Sequence, residues 1–202
     1  MGVTVENLNK IPVTIITGFL GSGKTTLISH LMQKSGGKKL AVIVNEFGDL
    51  GVDGEILKNC ADKNCPVDNI MELSNGCICC TVADDFIPTM NKLLNLPTAP
   101  EHIIIETSGL ALPKPLLKAF SWPDIKTKIT VDGVIAVADA EAVDSGQFAP
   151  DLAAVNRQRE ADPSIDHDTP LSEVFEDQIT CADIILLSKV DLVNEKQKSA
   201  AR

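Results

Sequence analysis

The strongest restriction on the fold of this chain comes from a short glycine-rich segment that separates an apolar run from a helical pattern. Gly18, Gly23, Lys24 and Thr25 satisfy the pattern G-x-x-x-x-G-K-[ST] without a mismatch. In this pattern glycines let backbone N–H groups turn toward phosphate oxygens, the lysine reaches the β- and γ-phosphates, and the hydroxyl takes one Mg²⁺ position. The helix that follows directs the positive end of its dipole at the same anion. We expect a phosphate-binding loop (P-loop) that contacts a nucleotide through Gly18, Gly21, Ser22, Gly23, Lys24, Thr25 and Thr26.

Short β-rich runs alternate with helical patterns along the whole chain. Several runs are continuous apolar blocks, which are typical of strands covered on both faces. This alternation predicts an α/β fold with a doubly wound, mostly parallel sheet of the P-loop NTPase type. The predicted strands are 13–17, 40–45, 69–73, 102–107, 133–138 and 183–188, and the predicted helices are 24–33, 83–94, 113–119, 172–180 and one beginning at 194.

The charge of the chain is acidic and unevenly spread. The net charge is −10, which argues against a nucleic-acid footprint or a basic membrane-surface patch. Residues 141–177 hold ten acidic side chains against Arg157 and Arg159, and we expect this stretch to be a solvated surface excursion, with a docking surface for a basic partner as the alternative.

No apolar run has the length of a membrane span, and no secretory signal is visible, so we expect a cytoplasmic protein.

The last predicted strand ends in a tetrapeptide that bears on the choice of base. In Ser188-Lys189-Val190-Asp191 the aspartate can accept both N1–H and N2–H₂ of guanine, while the aliphatic stem of the lysine covers the ring. Adenine offers no such pair of donors. The motif predicts GTP and GDP as ligands, with Ser188, Lys189 and Asp191 at the base, and a surface lysine–aspartate pair is the alternative.

A second strand end bears on hydrolysis, which needs a metal-facing carboxylate and a positioned water. The apolar run 102–105 ends in Glu106, and Gly109 follows three residues later. An acid there can hold Mg²⁺ through water or orient the attacking water, and Gly109 lets the backbone approach the γ-phosphate. Lys24 and Glu106 are therefore the predicted catalytic residues, and an ordinary strand-terminal carboxylate is the alternative.

Three of the six cysteines lie within four positions, at Cys77, Cys79 and Cys80. Thiolates this close repel one another, and a bound soft cation relieves the repulsion. One segment can supply two or three ligands of a tetrahedral site, so further ligands must come from elsewhere or from water. Glu46 and Asp49 are candidates. Redox chemistry and inert packing are the alternatives for the cluster, while Cys60, Cys65 and Cys181 carry no motif.

The order of these motifs resembles that of the CobW-type metal-handling GTPases, which are relatives of the nickel-insertion GTPases for hydrogenase and urease. The resemblance covers essentially the whole chain. The segments 44–56, 76–90 and 106–120 look closest to the family member of aerobic cobalamin biosynthesis. The motifs that carry it are the P-loop, Cys77-Ile78-Cys79-Cys80, Glu106-Thr107-Ser108-Gly109-Leu110-Ala111 and Ser188-Lys189-Val190-Asp191.

The resemblance implies a GTPase that binds Mg²⁺ at Thr25, holds Co²⁺ as cargo at Cys77, Cys79 and Cys80, and delivers it toward a cobaltochelatase subunit. The family also contains zinc chaperones, and the ligand chemistry favours Zn²⁺ over Co²⁺. Its members usually continue into a C-terminal domain. We expect one P-loop GTPase domain over 1–202 and no such C-terminal domain in this chain, so that part of the metal-delivery or partner surface is missing. A P-loop small-molecule kinase and an iron–sulfur or redox scaffold are the competing functions.

Overall fold

Six parallel strands form one sheet in the computed structural model, which describes residues 10–45, 57–73, 86–162 and 168–200. Their order across the sheet is β3-β2-β4-β1-β5-β6, and every neighbouring pair is parallel. The carboxyl ends of all six strands therefore lie along one edge of the sheet. The strands are β1 (Ile11–Thr17), β2 (Leu40–Asn45), β3 (Ile70–Leu73), β4 (His102–Glu106), β5 (Ile129–Asp139) and β6 (Ile184–Ser188).

Helices cover both faces of the sheet, as the apolar blocks predict. Because successive side chains of a strand point to opposite faces, Ile15 and Ile105 join one buried cluster while Ile16 and Ile104 join another. The first cluster includes side chains of α2, α3 and α4, and the second includes side chains of α1. The helices are α1 (Lys24–Gln33), α2 (Ile87–Leu94), α3 (Pro113–Ala119), α4 (Pro123–Lys126), α5 (Ala140–Asp144), α6 (Leu152–Ala161), α7 (Leu171–Thr180) and α8 (Glu195–Ala200).

The acidic stretch 141–177 is more structured than a solvated excursion. It contains most of α5, all of α6 and the first turns of α7. Val155 and Val174 are buried in a third apolar cluster together with Phe19 of the P-loop. The Phe19 ring centroid lies 6.2 Å from that of Phe148 and 5.9 Å from that of Phe175. Most of the described charged side chains of this stretch are exposed, although Asp162 is fully buried, and its apolar side chains anchor the stretch to the P-loop.

The bounds of several elements differ from the predicted ones for identifiable reasons. Strand β5 begins at Ile129 rather than 133, because its first half alternates buried and exposed side chains and lacks the continuous apolar block. Helices α5 and α6 were not predicted, although aspartates cap both: Asp139 accepts from Glu141 N and Ala142 N, and Asp151 accepts from Ala154 N. Within the described ranges, no helix is long and apolar enough to cross a membrane.

Candidate nucleotide site

The P-loop connects β1 to α1 at the carboxyl edge of the sheet. Gly18 has a φ of +139°, and a Cβ placed there would lie 2.2 Å from the carbonyl oxygen of Val137 on β5. A side chain is thus excluded by the backbone conformation and by the neighbouring strand. The loop closes with a hydrogen bond from Ser22 N to Phe19 O at 3.1 Å. The local geometry is the tight turn that the glycine pattern predicts.

The start of α1 supplies backbone donors and one lysine to the space inside the loop. Gly23 is the N-cap of α1, and no side chain forms a cap hydrogen bond there. The first turn of the helix contains no acidic residue. Lys24 is only 7% exposed, and its Nζ donates to the carbonyl oxygen of Phe19 at 3.2 Å. An anion inside the loop would meet N–H groups, the positive end of the helix dipole and this ammonium group.

Thr25 and Glu106 lie side by side, although 81 positions separate them in the sequence. Strands β1 and β4 are neighbours, with Ile16 paired to Glu106 in register. The Thr25 hydroxyl donates to Glu106 Oε1 at 3.2 Å, and Glu106 is 3% exposed. The sheet therefore brings together two oxygen-bearing side chains that the sequence analysis placed in separate motifs.

The loop after β4, residues 107–111, rests on the P-loop. A Cβ at Gly109 would lie 2.7 Å from Leu20 N and 3.2 Å from the carbonyl carbon of Phe19, so only glycine permits this approach. The carbonyl oxygens of Gly109 and Ala111 both accept from Gln178 Nε2, at 3.0 and 3.1 Å. Sequence patterns did not identify Gln178, because nothing near it in the chain signals that α7 reaches this loop.

The tetrapeptide after β6 lies beside the P-loop. The Ser188 hydroxyl donates to the carbonyl oxygen of Ser22 at 2.6 Å, and the carbonyl oxygen of Ala138 lies 3.3 Å from the same hydroxyl. Lys189 has a left-handed φ of 51°, and Leu192 N donates to Lys189 O at 3.0 Å, which closes a turn. Asp191 lies within this turn and is exposed. A base bound next to the P-loop would be within reach of this turn.

Asp139, at the end of β5, is a site residue that the sequence analysis missed. It is 1% exposed, and its Oδ2 lies 2.5 Å from Lys189 Nζ. Burial alone raises the pKa of Asp139, but the hydrogen bonds from Lys189, Ala142 N and Glu141 N outweigh it, so the pKa lies below its ordinary value. The sequence did contain a signal for Asp139: like β4, strand β5 ends in an acidic residue.

The predicted cargo-metal ligands Cys77, Cys79, Cys80, Glu46 and Asp49 lie outside the described residues. Among the residues that are described, no group of three or more His, Cys, Asp or Glu side chains is arranged to hold a metal ion.

The three described cysteines are free thiols. Burial, with a smaller contribution from nearby Asp62, raises the pKa of the Cys65 thiol to about 11. Cys60 and Cys181 are partly exposed. Cys65 is therefore a protonated thiol of the apolar core at neutral pH.

Comparison with known proteins gives consistent matches. The family described as "CobW/HypB/UreG, nucleotide-binding domain" matches residues 12–202. A Sinorhizobium protein named zinc chaperone CobW is 58% identical over 97% of this chain and 55% of its own length, and a protein of the same name from Pseudomonas aeruginosa is 48% identical over 100% and 54%.

The fold comparison agrees with the sequence matches. The crystal structure of Zn(II)-bound YjiA GTPase from E. coli superposes with a TM-score of 0.59 at 28% identity, and the match covers 95% of this chain and 53% of that one. This chain spans about half the length of the curated relatives it matches. It belongs to the CobW/HypB/UreG family, and the match is to the nucleotide-binding domain of that family.

Proposed function

We propose that this chain is the nucleotide-binding part of a GTP-dependent metallochaperone, which hydrolyses GTP and passes a bound transition metal to an acceptor protein. The observation that carries the proposal is the meeting of three separate motifs at one edge of the sheet. Hydrogen bonds join the P-loop motif to the end of β4 through Thr25 and Glu106, and to the base-recognition turn through Ser188 and Ser22.

The phosphate contacts are proposed from the geometry of the P-loop. Lys24 donates to a carbonyl oxygen of its own loop, and rotation of its flexible stem would carry the ammonium group to the β- and γ-phosphates. The uncapped N–H groups at the start of α1 would donate to the same phosphates. These groups bind and neutralise the triphosphate, which is the main protein contribution to phosphoryl transfer.

The fit of Mg²⁺ rests on the distance between two oxygen atoms. Adjacent ligands of octahedral Mg²⁺ lie roughly 2.9 Å apart, and Thr25 Oγ1 and Glu106 Oε1 are 3.2 Å apart. A small rotation of either side chain would let both face one ion, or let Glu106 hold a water of its shell. The ion would supply charge neutralisation at the β- and γ-phosphates. Glu106 would hold the proton-accepting oxygen beside the attacking water.

Guanine selection is proposed for the turn that contains Lys189 and Asp191. The Ser188 hydroxyl fixes the start of this turn to the P-loop backbone, and Asp139 fixes Lys189. Ser22 and Asp139 are buried, so these two contacts would hold the turn at a constant distance from phosphates bound in the P-loop. The Asp191 carboxylate, exposed in the turn, would accept two hydrogen bonds from guanine.

The cargo site is proposed for Cys77, Cys79 and Cys80, with Glu46 and Asp49 as further candidates. Asn45 and Leu73, which end β2 and β3, are paired in register. Glu46 is the next residue in the sequence after Asn45, and Cys77 comes four residues after Leu73. Because both groups of candidate ligands follow strands that end at the carboxyl edge with the P-loop, we expect communication between cargo and nucleotide.

Zn²⁺ is the cargo that we propose first, and Co²⁺ is the alternative. Thiolate-rich sites bind Zn²⁺ more tightly than Co²⁺, and two relatives carry the name zinc chaperone. The resemblance to the family member of cobalamin biosynthesis is the support for Co²⁺, and in that case a cobaltochelatase subunit would be the acceptor.

The test is a metal titration of the chain with either a non-hydrolysable GTP analogue or GDP bound. Co²⁺ serves as the probe, because thiolate-to-metal absorption and tetrahedral d–d bands report its ligands. We expect tighter binding with the analogue, by roughly 5- to 150-fold, which is the usual range of such coupling. Cys79→Ser and Cys80→Ser should abolish the signal, whereas Cys181→Ser, a matched change outside the motif, should not. Zn²⁺ should displace Co²⁺.

Each part of the proposal can fail separately. Equal metal affinities in the two nucleotide states would contradict the chaperone cycle, and retention of Co²⁺ against Zn²⁺ would make cobalt the cargo. ATP bound as tightly as GTP in calorimetry would contradict the guanine assignment. A phosphorylated small molecule, in place of free phosphate, would identify a kinase.

A further inference from the structure

The side chain of Gln178 forms the contact between α7 and the loop 107–111. It is 1% exposed, and its Nε2 donates one hydrogen bond to Gly109 O and one to Ala111 O. One amide group thus holds two carbonyls of the loop that we propose to approach the γ-phosphate.

The orientation of this amide is fixed by its partners. With Oε1 and Nε2 exchanged, an oxygen would face two carbonyl oxygens, so only the donor can point toward the loop. Oε1 is then buried and has no hydrogen-bond partner among the residues that the structure describes. The two hydrogen bonds to the loop are therefore made by the donor end of the amide.

The same face of α7 also contacts the P-loop. Phe175 precedes Gln178 by one helical turn, so both side chains lie on one face of the helix. The Phe175 ring centroid is 5.9 Å from that of Phe19 in the P-loop. The Gly109 backbone in turn rests on Phe19 and Leu20. Helix α7 therefore touches both parts of the site that bracket the proposed γ-phosphate position.

We propose that Gln178 is a positioning residue, which holds the loop 107–111 for hydrolysis and transmits the movement of that loop to α7. The inference rests on the proposed GTPase function. A γ-phosphate bound near Gly109 would shift the loop, whereas GDP would not. Because the Gln178 amide links the loop to α7, the helix follows the shift. Its outer side carries exposed Glu173 and Glu176, so the nucleotide state would alter an acidic surface.

The test compares the wild-type chain with Gln178→Met, which keeps the length of the side chain and removes the donor. We expect kcat for phosphate release from GTP to fall about 10- to 100-fold, the range expected for a displaced catalytic geometry, while KM changes less than about 3-fold. Val155→Ala is the control, because it weakens the third apolar cluster, against which Phe175 packs, without touching the Gln178 amide. Its kcat should match wild type at temperatures where both variants are fully folded.

Hydrogen exchange provides the second readout and needs no turnover. In the wild-type chain, amides of α7 should exchange at different rates with a GTP analogue and with GDP. In Gln178→Met that difference should vanish, while nucleotide-dependent protection of the P-loop persists. A kcat loss in Val155→Ala as large as that in Gln178→Met, or an unchanged α7 difference in Gln178→Met, would overturn the inference. Absence of phosphate release by the wild-type chain would instead count against the proposed function, and the exchange result would still decide the role of Gln178.

Discussion

Asp139 combines two roles that two substitutions can separate. Its Oδ1 caps α5 by accepting from Glu141 N at 2.9 Å and Ala142 N at 3.2 Å, and its Oδ2 holds Lys189. Asp139→Asn keeps an oxygen for the cap and loses the ion pair. Asp139→Ala loses both.

The expected free-energy changes follow from these contacts. Loss of an N-cap costs about 0.5–2 kcal/mol, and the unpaired Ala142 N–H is buried, so Asp139→Ala should lower the free energy of unfolding by about 1–3 kcal/mol. Lys189 is partly exposed and can turn to water, so Asp139→Asn should cost less than about 1 kcal/mol. Urea unfolding measures both values.

The two Asp139 substitutions should differ in stability but have similar effects on nucleotide affinity. Both substitutions release Lys189 from its anchor, so both should weaken GTP binding several-fold in calorimetry. Asp62→Ala is the matched control: Asp62 also accepts from two backbone N–H groups, of Asn64 and Cys65, but it lies near the start of β2 at the opposite edge of the sheet. It should lower stability and leave GTP affinity unchanged. Wild-type GTP affinity in both Asp139 variants would refute the anchoring argument, and equal stability of the Asn and Ala variants would refute the capping argument.

The dependence of the free energy of unfolding on pH should change as well at acid pH. The folded pKa of Asp139 is lowered, so the unfolded chain binds more protons as the pH falls below the ordinary carboxyl range. The stabilisation by this group is present at neutral pH and is lost as the pH falls through the lowered pKa. Asp139→Asn should therefore flatten the dependence of unfolding free energy on pH at the acid end.

Two further predictions concern the P-loop and the core thiol. Gly18→Ala should cost about 2–4 kcal/mol in urea unfolding, because the new Cβ meets Val137 O at 2.2 Å, whereas Gly36→Ala, also at positive φ but in open space, should cost only about 1–2 kcal/mol; equal costs would be inconsistent with the close contact. The pKa of Cys65 is raised from 9.0 to about 11, so the folded state binds the extra proton and stability should fall as the pH rises from 9 to 11. At pH 8, iodoacetamide should label Cys60 before Cys65 by mass spectrometry, and early labelling of Cys65 would show that its burial is wrong.

The parts of the fold that the sequence predicts well are those that local chemistry dictates. The bounds of α1 agree with the prediction, because Gly23 and Lys24 define its start. The bounds of β2 agree as well, because its apolar block is continuous. The pairing of Thr25 with Glu106 follows from parallel strands whose carboxyl ends share one edge. These features need only the motif, the strand period and the handedness of βαβ units.

The parts that the sequence missed depend on tertiary contacts. Gln178 is an ordinary helix residue until α7 is placed against the loop 107–111. Asp139 looks like a strand end, and only the fold shows Lys189 beside it. Half of the residues of helix α6 are polar and Val155 is its one fully buried residue, so its apolar pattern is too weak to stand out. The roles of Cys77, Cys79 and Cys80 stay predictions.

The central position of β1 in the sheet has a consequence for how the chain reaches its fold during synthesis. Val13 pairs with Ile103, and Ile11 pairs with Ile129, so β1 bonds to segments that the ribosome makes 90 and 118 residues later. At translation rates of about 5–20 residues per second, β1 waits roughly 6–24 s before both neighbours exist. During that interval Ile15 and Ile16, which end fully buried, have no sheet to join. The nascent chain should therefore bind holdase chaperones through β1, and the sheet should form late and cooperatively.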